Sequence, residues 1–240
     1  MNQSFLIQPP ILETSQGNIP LNYSVERVPE ESDAQVAATI ALMSKYVCAD
    51  CQSGAVIYDA QCAVASDPNN PLAGIHQFVR SRLKFRNDEE IVQPYDWMLP
   101  KQGMSGEDYF VECLKRPIDV SLEYANTQRQ VEGDCDDFAM YCAALLKALN
   151  VDCAFATVGA NSKNPNVFSH VYVVAYWRGN RYAMDCSHGP YAGWEVANEY
   201  GKFCEWGIFD RTSYGLVGLG IAALAWLAWV NRKELRSLLG

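Results

Sequence analysis

A thiol becomes a strong nucleophile when its anion is stabilised and a base stands beside it. The stretch Gly133-Asp134-Cys135-Asp136-Asp137-Phe138 offers the first half of that arrangement. Gly133 allows a sharp turn and Asp134 is a natural helix cap, which puts Cys135 in the first turn of a helix. Backbone N–H groups at a helix start favour a thiolate and can donate to an oxyanion forming beside the sulfur. The neighbouring aspartates oppose the thiolate, so position alone does not activate it and a base is required.

The chain has only three histidines. His170 opens an apolar strand in which His170, Tyr172 and Val174 share one face, and Val171, Val173 and Ala175 the other. Asp185 ends the next strand, and Arg178-Gly179-Asn180 joins the two as a hairpin. With the turn centred near Gly179, Asp185 falls opposite Tyr172 and His170 near Ser187. His170 and Asp185 then point the same way, one diagonal step apart. A carboxylate there holds one imidazole nitrogen while the other faces the sulfur, the nucleophile, base and orienter of covalent acyl transfer.

Other clusters have simpler readings. His188 with Cys186 falls short of four metal ligands. Cys48-x-x-Cys51 with Cys62 and His76 has zinc-like spacing, but the segments between them read as helices, and a disulfide there is as good a reading. No metal is therefore assigned. Asp88-Glu89-Glu90 reads as a solvated face. Asp136 and Asp137 suit either a cationic group of a substrate or the helix cap.

The elements that must position these groups follow from periodicity. The segment 1–32 is rich in Pro, Asn, Ser and Gln and reads as an extended arm. Helices are predicted over 33–47, 55–65 and from Pro71 to about Leu83, the last with proline in its first turn. From Phe85 to Gln130, Pro94, Pro100, Gly103, Gly106 and Pro117 break the pattern, leaving a loop-rich stretch with one helix around Glu107–Leu114. The best helix of this region runs from Cys135 to Leu149, with Phe138, Cys142, Leu145 and Leu146 at helical spacing and Asn150 at its end. Strands follow at 153–158, 170–177 and 181–185. Helices first and antiparallel strands after make an α+β domain over 33–207.

Thr212 to Val230 reads as nineteen uncharged residues, TSYGLVGLGIAALAWLAWV. As a helix it spans about 28 Å, close to the hydrocarbon thickness of a bilayer. Tyr214, Trp226 and Trp229 near its ends suit the membrane interface. The basic tail 231–240, with Arg232, Lys233 and Arg236, prefers the cytoplasmic side and would put the large domain outside, whereas a tail anchor with a cytoplasmic head is the alternative, and both orientations stay open. The expectation is a single-pass membrane protein anchored through 212–230.

A formal net charge of −9 excludes a general nucleic-acid binder, which needs surplus Lys and Arg to replace counterions. Nine cysteines without the spacing of a disulfide scaffold, and no basic-then-apolar pattern over Met1–Pro10, fit thiols kept reduced at synthesis.

The run GDCDDFAMYCAALLKALNV, then FSHVYVVAYW, then RYAMDCS, resembles the transglutaminase-like superfamily of papain-like cysteine enzymes. Together with FRNDEEI upstream, it is most similar to transglutaminase-like proteins encoded in phage and prophage genomes, over roughly Leu72 to Trp194. The resemblance implies a papain-like core in which the helix bearing the cysteine packs on an antiparallel sheet. It implies Cys135 as nucleophile, His170 as general base and acid, and Asp185 as orienter, with no cofactor. It also implies a side-chain oxyanion donor upstream of the nucleophile, for which Gln130 is the choice and Gln128 the alternative. The expected reaction is hydrolysis of a peptide or peptidoglycan amide through a thioester, with virion or envelope proteins as partners. Resolution of the thioester by an amine would give a cross-link instead. A structural virion protein that keeps the fold without turnover is the competing reading from another class.

Overall fold

A computed structural model describes residues 4–5, 11–14, 17–20, 24–26, 32–92, 112–196 and 202–208. The chain divides into Met1–Ile208 and Phe209–Gly240, and the apolar run 212–230 lies outside the described residues. Among the described residues no helix is long and apolar enough to cross a membrane.

Four short strands come first: β1 (Ser4–Phe5), β2 (Ile11–Thr14), β3 (Gly17–Pro20) and β4 (Ser24–Glu26). Three helices follow, α1 (Ser32–Asp50), α2 (Gly54–Ser66) and α3 (Pro71–Arg82). Ser53 caps α2 and Asn70 caps α3, each accepting from the backbone N–H three residues on, with Pro71 opening α3. Then come β5 (Leu83–Phe85), α4 (Asp88–Val92), β6 (Glu112–Leu114), α5 (Pro117–Thr127) and β7 (Val131–Gly133). The last elements are α6 (Cys135–Ala148), β8 (Asp152–Val158), β9 (His170–Trp177), β10 (Asn180–Met184) and β11 (Phe203–Gly207).

The structure differs from the sequence reading most between Phe85 and Gln130. Residues 112–114, the end of the helix predicted around 107–114, form a strand because β6 pairs antiparallel with β4 of the N-terminal segment, while 107–111 lie outside the described residues. Pro117 does not break order but starts α5 at a position where its missing N–H costs nothing. Asp88 is no part of a solvated face. It is buried, and its carboxylate accepts the Cys113 N–H at 2.7 Å. Asp137 accepts the Lys115 N–H at 2.7 Å, and Asp50 pairs with Arg116 and accepts the Ile118 N–H at 3.3 Å. Three carboxylates thus fix consecutive parts of 113–118, which apolar periodicity does not record.

α6 is the centre of the molecule. It is buried continuously from Asp137 to Leu146, with the sheet against one side and α1, α2, α3 and α5 around the rest. That explains why Ala139, Ala143 and Ala144 alternate with large residues, since small side chains let neighbouring backbones approach a helix that is enclosed all round. Tyr141 reaches Asp59 of α2 with its hydroxyl at 2.7 Å, so its one polar atom is satisfied within the core. Asn150, with φ of 57°, ends the helix in the left-handed region.

The main sheet is antiparallel in the order β10-β9-β8-β11. β9 and β10 form a hairpin whose central residues Arg178 and Gly179 have φ of 52° and 78°, the two positive values that a tight primed turn requires. Its register pairs Trp177 with Asn180 and Val173 with Met184. Continued by one residue, it sets Asp185 beside Tyr172, the alignment the hairpin arithmetic predicts. Val171, Val173 and Ala175 face the core around α6, while Tyr172 and Val174 belong to a smaller cluster on the opposite face.

Candidate active site

β7 delivers the chain to α6, and Asp134 caps the helix by accepting the Asp136 N–H at 2.9 Å. Cys135 is therefore the first helical residue, half-buried, with its Sγ 3.7 Å from Oδ1 of Asp136. The Asp136 amide is engaged by the cap, which removes it from the donors that helix position offers an oxyanion. Gly133 has another role than the predicted turn. A Cβ there would lie 2.5 Å from Oδ2 and 2.8 Å from Cβ of Asp137, so the glycine makes room for that side chain. Asp137 is fully buried and faces no substrate. Burial, then the charge of Asp134, pushes its carboxyl well above the usual carboxylate range.

Gly133→Ala is accordingly expected to destabilise the domain by about 1–3 kcal/mol, the usual range for overpacking, and to slow reactions of Cys135 by shifting the start of α6. Urea denaturation and thiol alkylation rates would measure the two effects.

His170 stands at the first position of β9, and its Nε2 lies 2.8 Å from Oδ2 of Asp185, just past the end of β10. A carboxylate only accepts, so Nε2 carries the proton and Nδ1 is left as the basic nitrogen. Oδ1 of Asp185 accepts from the His188 N–H and the Ser187 hydroxyl, each at 3.0 Å. Burial pushes the Asp185 carboxyl up, but the hydrogen bond and charge of His170, with the His188 and Ser187 donors, outweigh it and hold the group at about 2.

The loop bearing Asp185 is anchored from α3. His76 donates through Nε2 to the Asp185 carbonyl at 3.1 Å, and Nη1 of Arg80 lies 3.0 Å from the Cys186 carbonyl and 3.1 Å from that of Gly189. This use of His76 draws it away from the zinc-like set with Cys48, Cys51 and Cys62, and all nine cysteines are free thiols. Burial lowers the affinity of His76 for a second proton below the ordinary value of 6.5. A histidine with a depressed folded-state value stabilises the fold above its unfolded value, and that contribution is lost as pH falls through the folded value. His188, also depressed by burial and by His170, acts in the same direction. The stability advantage of the wild type over His76→Gln, which keeps the donor, is expected to hold from pH 8 to 7 and to shrink below 6.5, a difference in which the opposite contribution of the raised Asp137 carboxyl cancels. Thermal melts across pH 5–8 would check this.

Cys135 and His170 line one cavity of about 350 Å³. Val36 and Ile40 of α1 and Val167 and Phe168 before β9 supply its apolar wall, and Asp134 and Asp136 its acidic edge. The structure thus brings Cys135, His170 and Asp185 to one end of the sheet, with the cysteine and histidine open to a common space. It does not bring Gln130 there as a donor. Nε2 of Gln130 donates to the Arg80 and Leu83 carbonyls at 3.0 and 3.1 Å, so both amide hydrogens are used in joining α3 to β7. Gln128 is likewise engaged, closing α5 with φ of 55° and donating to Ala125 at 2.9 Å.

One residue of the site escapes a sequence reading. The ring of His188 stands edge-on to that of His170, with centroids 4.8 Å apart, and packs against Phe85 at 5.0 Å. Its position three residues past Asp185 is the only sequence signal, and it becomes informative once Asp185 is known to sit at a turn. His170, Asp185 and His188 bring ligand atoms within 4.8 Å of one another, as do Asp134, Cys135 and Asp136. In the first group, Nε2 of His170 and Oδ2 of Asp185 are joined to each other at 2.8 Å.

No protein-family model matches the chain. No curated protein matches it either. Among solved structures, the chain is similar to a candidate cysteine protease from Cytophaga hutchinsonii, at 15% identity and a TM-score of 0.35, over 86% of this chain and 74% of that one. It is also similar to a candidate protease from Parabacteroides distasonis, at 13% identity and a TM-score of 0.37, over 87% of this chain and 43% of that one.

Proposed function

We propose that the protein is a cysteine hydrolase of transglutaminase-like type, a peptidase or amidase working through Cys135, His170 and Asp185. The observation that carries this reading is the His170–Asp185 hydrogen bond at 2.8 Å, with His170 lining the cavity that Cys135 also lines. Nδ1 of His170 takes the thiol proton, and the thiolate attacks an amide carbonyl. As the C–N bond breaks, the imidazolium returns that proton to the departing amine, leaving a thioester on Cys135. Water then adds to the thioester with His170 as base, the C–S bond breaks, and the acid leaves. Asp185, ionised throughout, keeps Nε2 protonated and stabilises the imidazolium.

In this reading Thr212 to Val230 anchors the enzyme in a membrane and the targets are peptidoglycan stem peptides or envelope proteins. Such targets fit a protein of phage or prophage origin that meets a cell envelope. Mass spectrometry of peptidoglycan and protein substrates, incubated with the full chain or its Cys135→Ala variant, tests the reaction. New amide-cleavage products that need Cys135 are expected. Identical products from both proteins would contradict the reading, and joined chains with loss of ammonia would replace hydrolysis by transfer.

A further inference from the structure

His170 borders a second space. A cavity of about 470 Å³ shares Ser169 and His170 with the cysteine-bearing one, but Cys135 is not among its lining residues. Its remaining walls include His188, Trp194, Val196 and Ala160. Whereas the cysteine-bearing cavity has Asp134 and Asp136 at its edge, the described residues lining the second offer no carboxylate, ammonium or guanidinium. Burial, then the nearby His170, keeps His188 on the neutral side at pH 7.

The walls are held in place. The indole of Trp194 lies over Gly189, where a Cβ would come within 3.1 Å of its ring and 2.5 Å of the Asp185 carbonyl oxygen. The turn leading to it is pinned by the Gly193 N–H on the Ala183 carbonyl at 2.7 Å and the Trp194 N–H on Tyr191 at 3.1 Å. Ser169 is also committed, its hydroxyl oxygen accepting the Ala160 and Asn161 N–H groups at 3.0 and 3.2 Å. The Ser187 hydroxyl has one hydrogen and gives it to Asp185, so its 2.9 Å contact with Nδ1 of His188 requires that nitrogen to be the donor. Nε2 of His188 is thereby left as an acceptor suited to an amine N–H.

We infer that this second cavity is the binding site for the amine-bearing half of the substrate, and that it selects an uncharged apolar or aromatic group, with Trp194 and His188 as specificity-determining walls. The inference rests on the Cys135–His170–Asp185 reading above. The imidazole must reach both the sulfur and the departing or attacking nitrogen, and of the two residues shared by both spaces, Ser169 and His170, only His170 carries a base. In the direction of synthesis, an amine nitrogen attacks the Cys135 thioester and His170 takes its proton. The C–N bond forms, the C–S bond breaks, and the thiolate leaves to recover that proton.

Partitioning of an acyl-enzyme tests the site. The full chain is acetylated at Cys135 with p-nitrophenyl acetate, releasing p-nitrophenolate, and the amides of phenylalanine, lysine and glutamate compete with water for the acetyl group. Capture by phenylalaninamide is expected to saturate and to exceed capture by the two charged amides about tenfold, the size of one well-packed aromatic contact. Trp194→Ala is expected to raise the half-saturating phenylalaninamide concentration about tenfold, and Trp194→Phe to restore most of it. Equal capture of the three amides, or capture rising linearly without saturation, would overturn the assignment while acetyl-Cys135 remained visible by mass spectrometry. Absence of acetyl-Cys135 altogether would overturn the triad reading, and this site with it.

Discussion

Cys135→Ala is expected to abolish turnover, and His170→Ala to reduce it by about 10²–10⁴-fold, the range a positioned general base contributes. The two effects differ because the thiol is the bonding atom, whereas the imidazole only moves its proton. The geometry makes the dependence on His170 steep. Oδ1 of Asp136 lies 3.7 Å from the sulfur, and a carboxylate there opposes rather than assists thiolate formation. Helix position helps less than usual, since the cap already uses the Asp136 amide. Removal of the thiol proton then falls to Nδ1 of His170. Release of p-nitrophenolate in a burst and a steady phase separates the losses: Cys135→Ala should show no burst, and His170→Ala a slow one. A normal burst in either variant would contradict the assignment.

Asp185 is expected to matter almost as much, and in two ways. Its carboxylate is fully buried and accepts from His170, His188 and Ser187, so Asp185→Ala leaves donors without partners in the interior. Breaking a buried pair of this kind costs about 3–5 kcal/mol. Asp185→Asn keeps the volume but puts an amide that also donates beside Nε2. An N–H turned toward His170 forces the proton onto Nδ1, the nitrogen that has to receive the thiol proton. The expected loss is on the order of 10²–10⁴-fold in turnover with a folded protein. Denaturation of both variants beside ester kinetics distinguishes the cases: Ala loses stability and rate, Asn mainly rate. The carboxylate also adds acid sensitivity. Held at about 2 instead of the ordinary 3.8, it stabilises the fold above the ordinary value, and that contribution disappears as pH falls through 2.

How much of this was legible in the chain depended on the range of the interaction. The α6 start and the β9–β10 hairpin are local. Asp134 beside Cys135 specifies a cap, and Arg178-Gly179 specifies a tight turn, from which the alignment of Asp185 with Tyr172 follows by counting. The contacts of Asp88, Asp137 and Gln130 are not local, since each side chain satisfies backbone groups 22 to 50 residues away. Hydrophobic periodicity registers no such bond, which is why Asp88 reads as solvated and Gln130 as a free donor. Pro117 reads as an interruption because proline both breaks helices and begins them, and only the packing of α5 on α2 and α6 decides between these. β11 is short and rich in aromatics, and its place at the sheet edge beside β8 comes from pairing across nearly fifty residues. His188 gains meaning only from the three-dimensional turn that lays it against His170.

The most direct test of the account is the rate at which each cysteine of the folded chain is alkylated by iodoacetamide, followed by peptide mass spectrometry. Cys48, Cys62 and Cys204 are as half-buried as Cys135 and serve as internal references for simple access. Cys142, hydrogen-bonded to Cys186 and buried, and Cys153, pushed up by burial to about 12, should be the slowest. Cys135 is predicted to react about 100-fold faster than the three references at pH 7, and to fall to their rate in His170→Ala. Equal labelling of Cys135 and the references, or a Cys135 rate unchanged by His170→Ala, would contradict the nucleophile–base pair on which the whole reading stands.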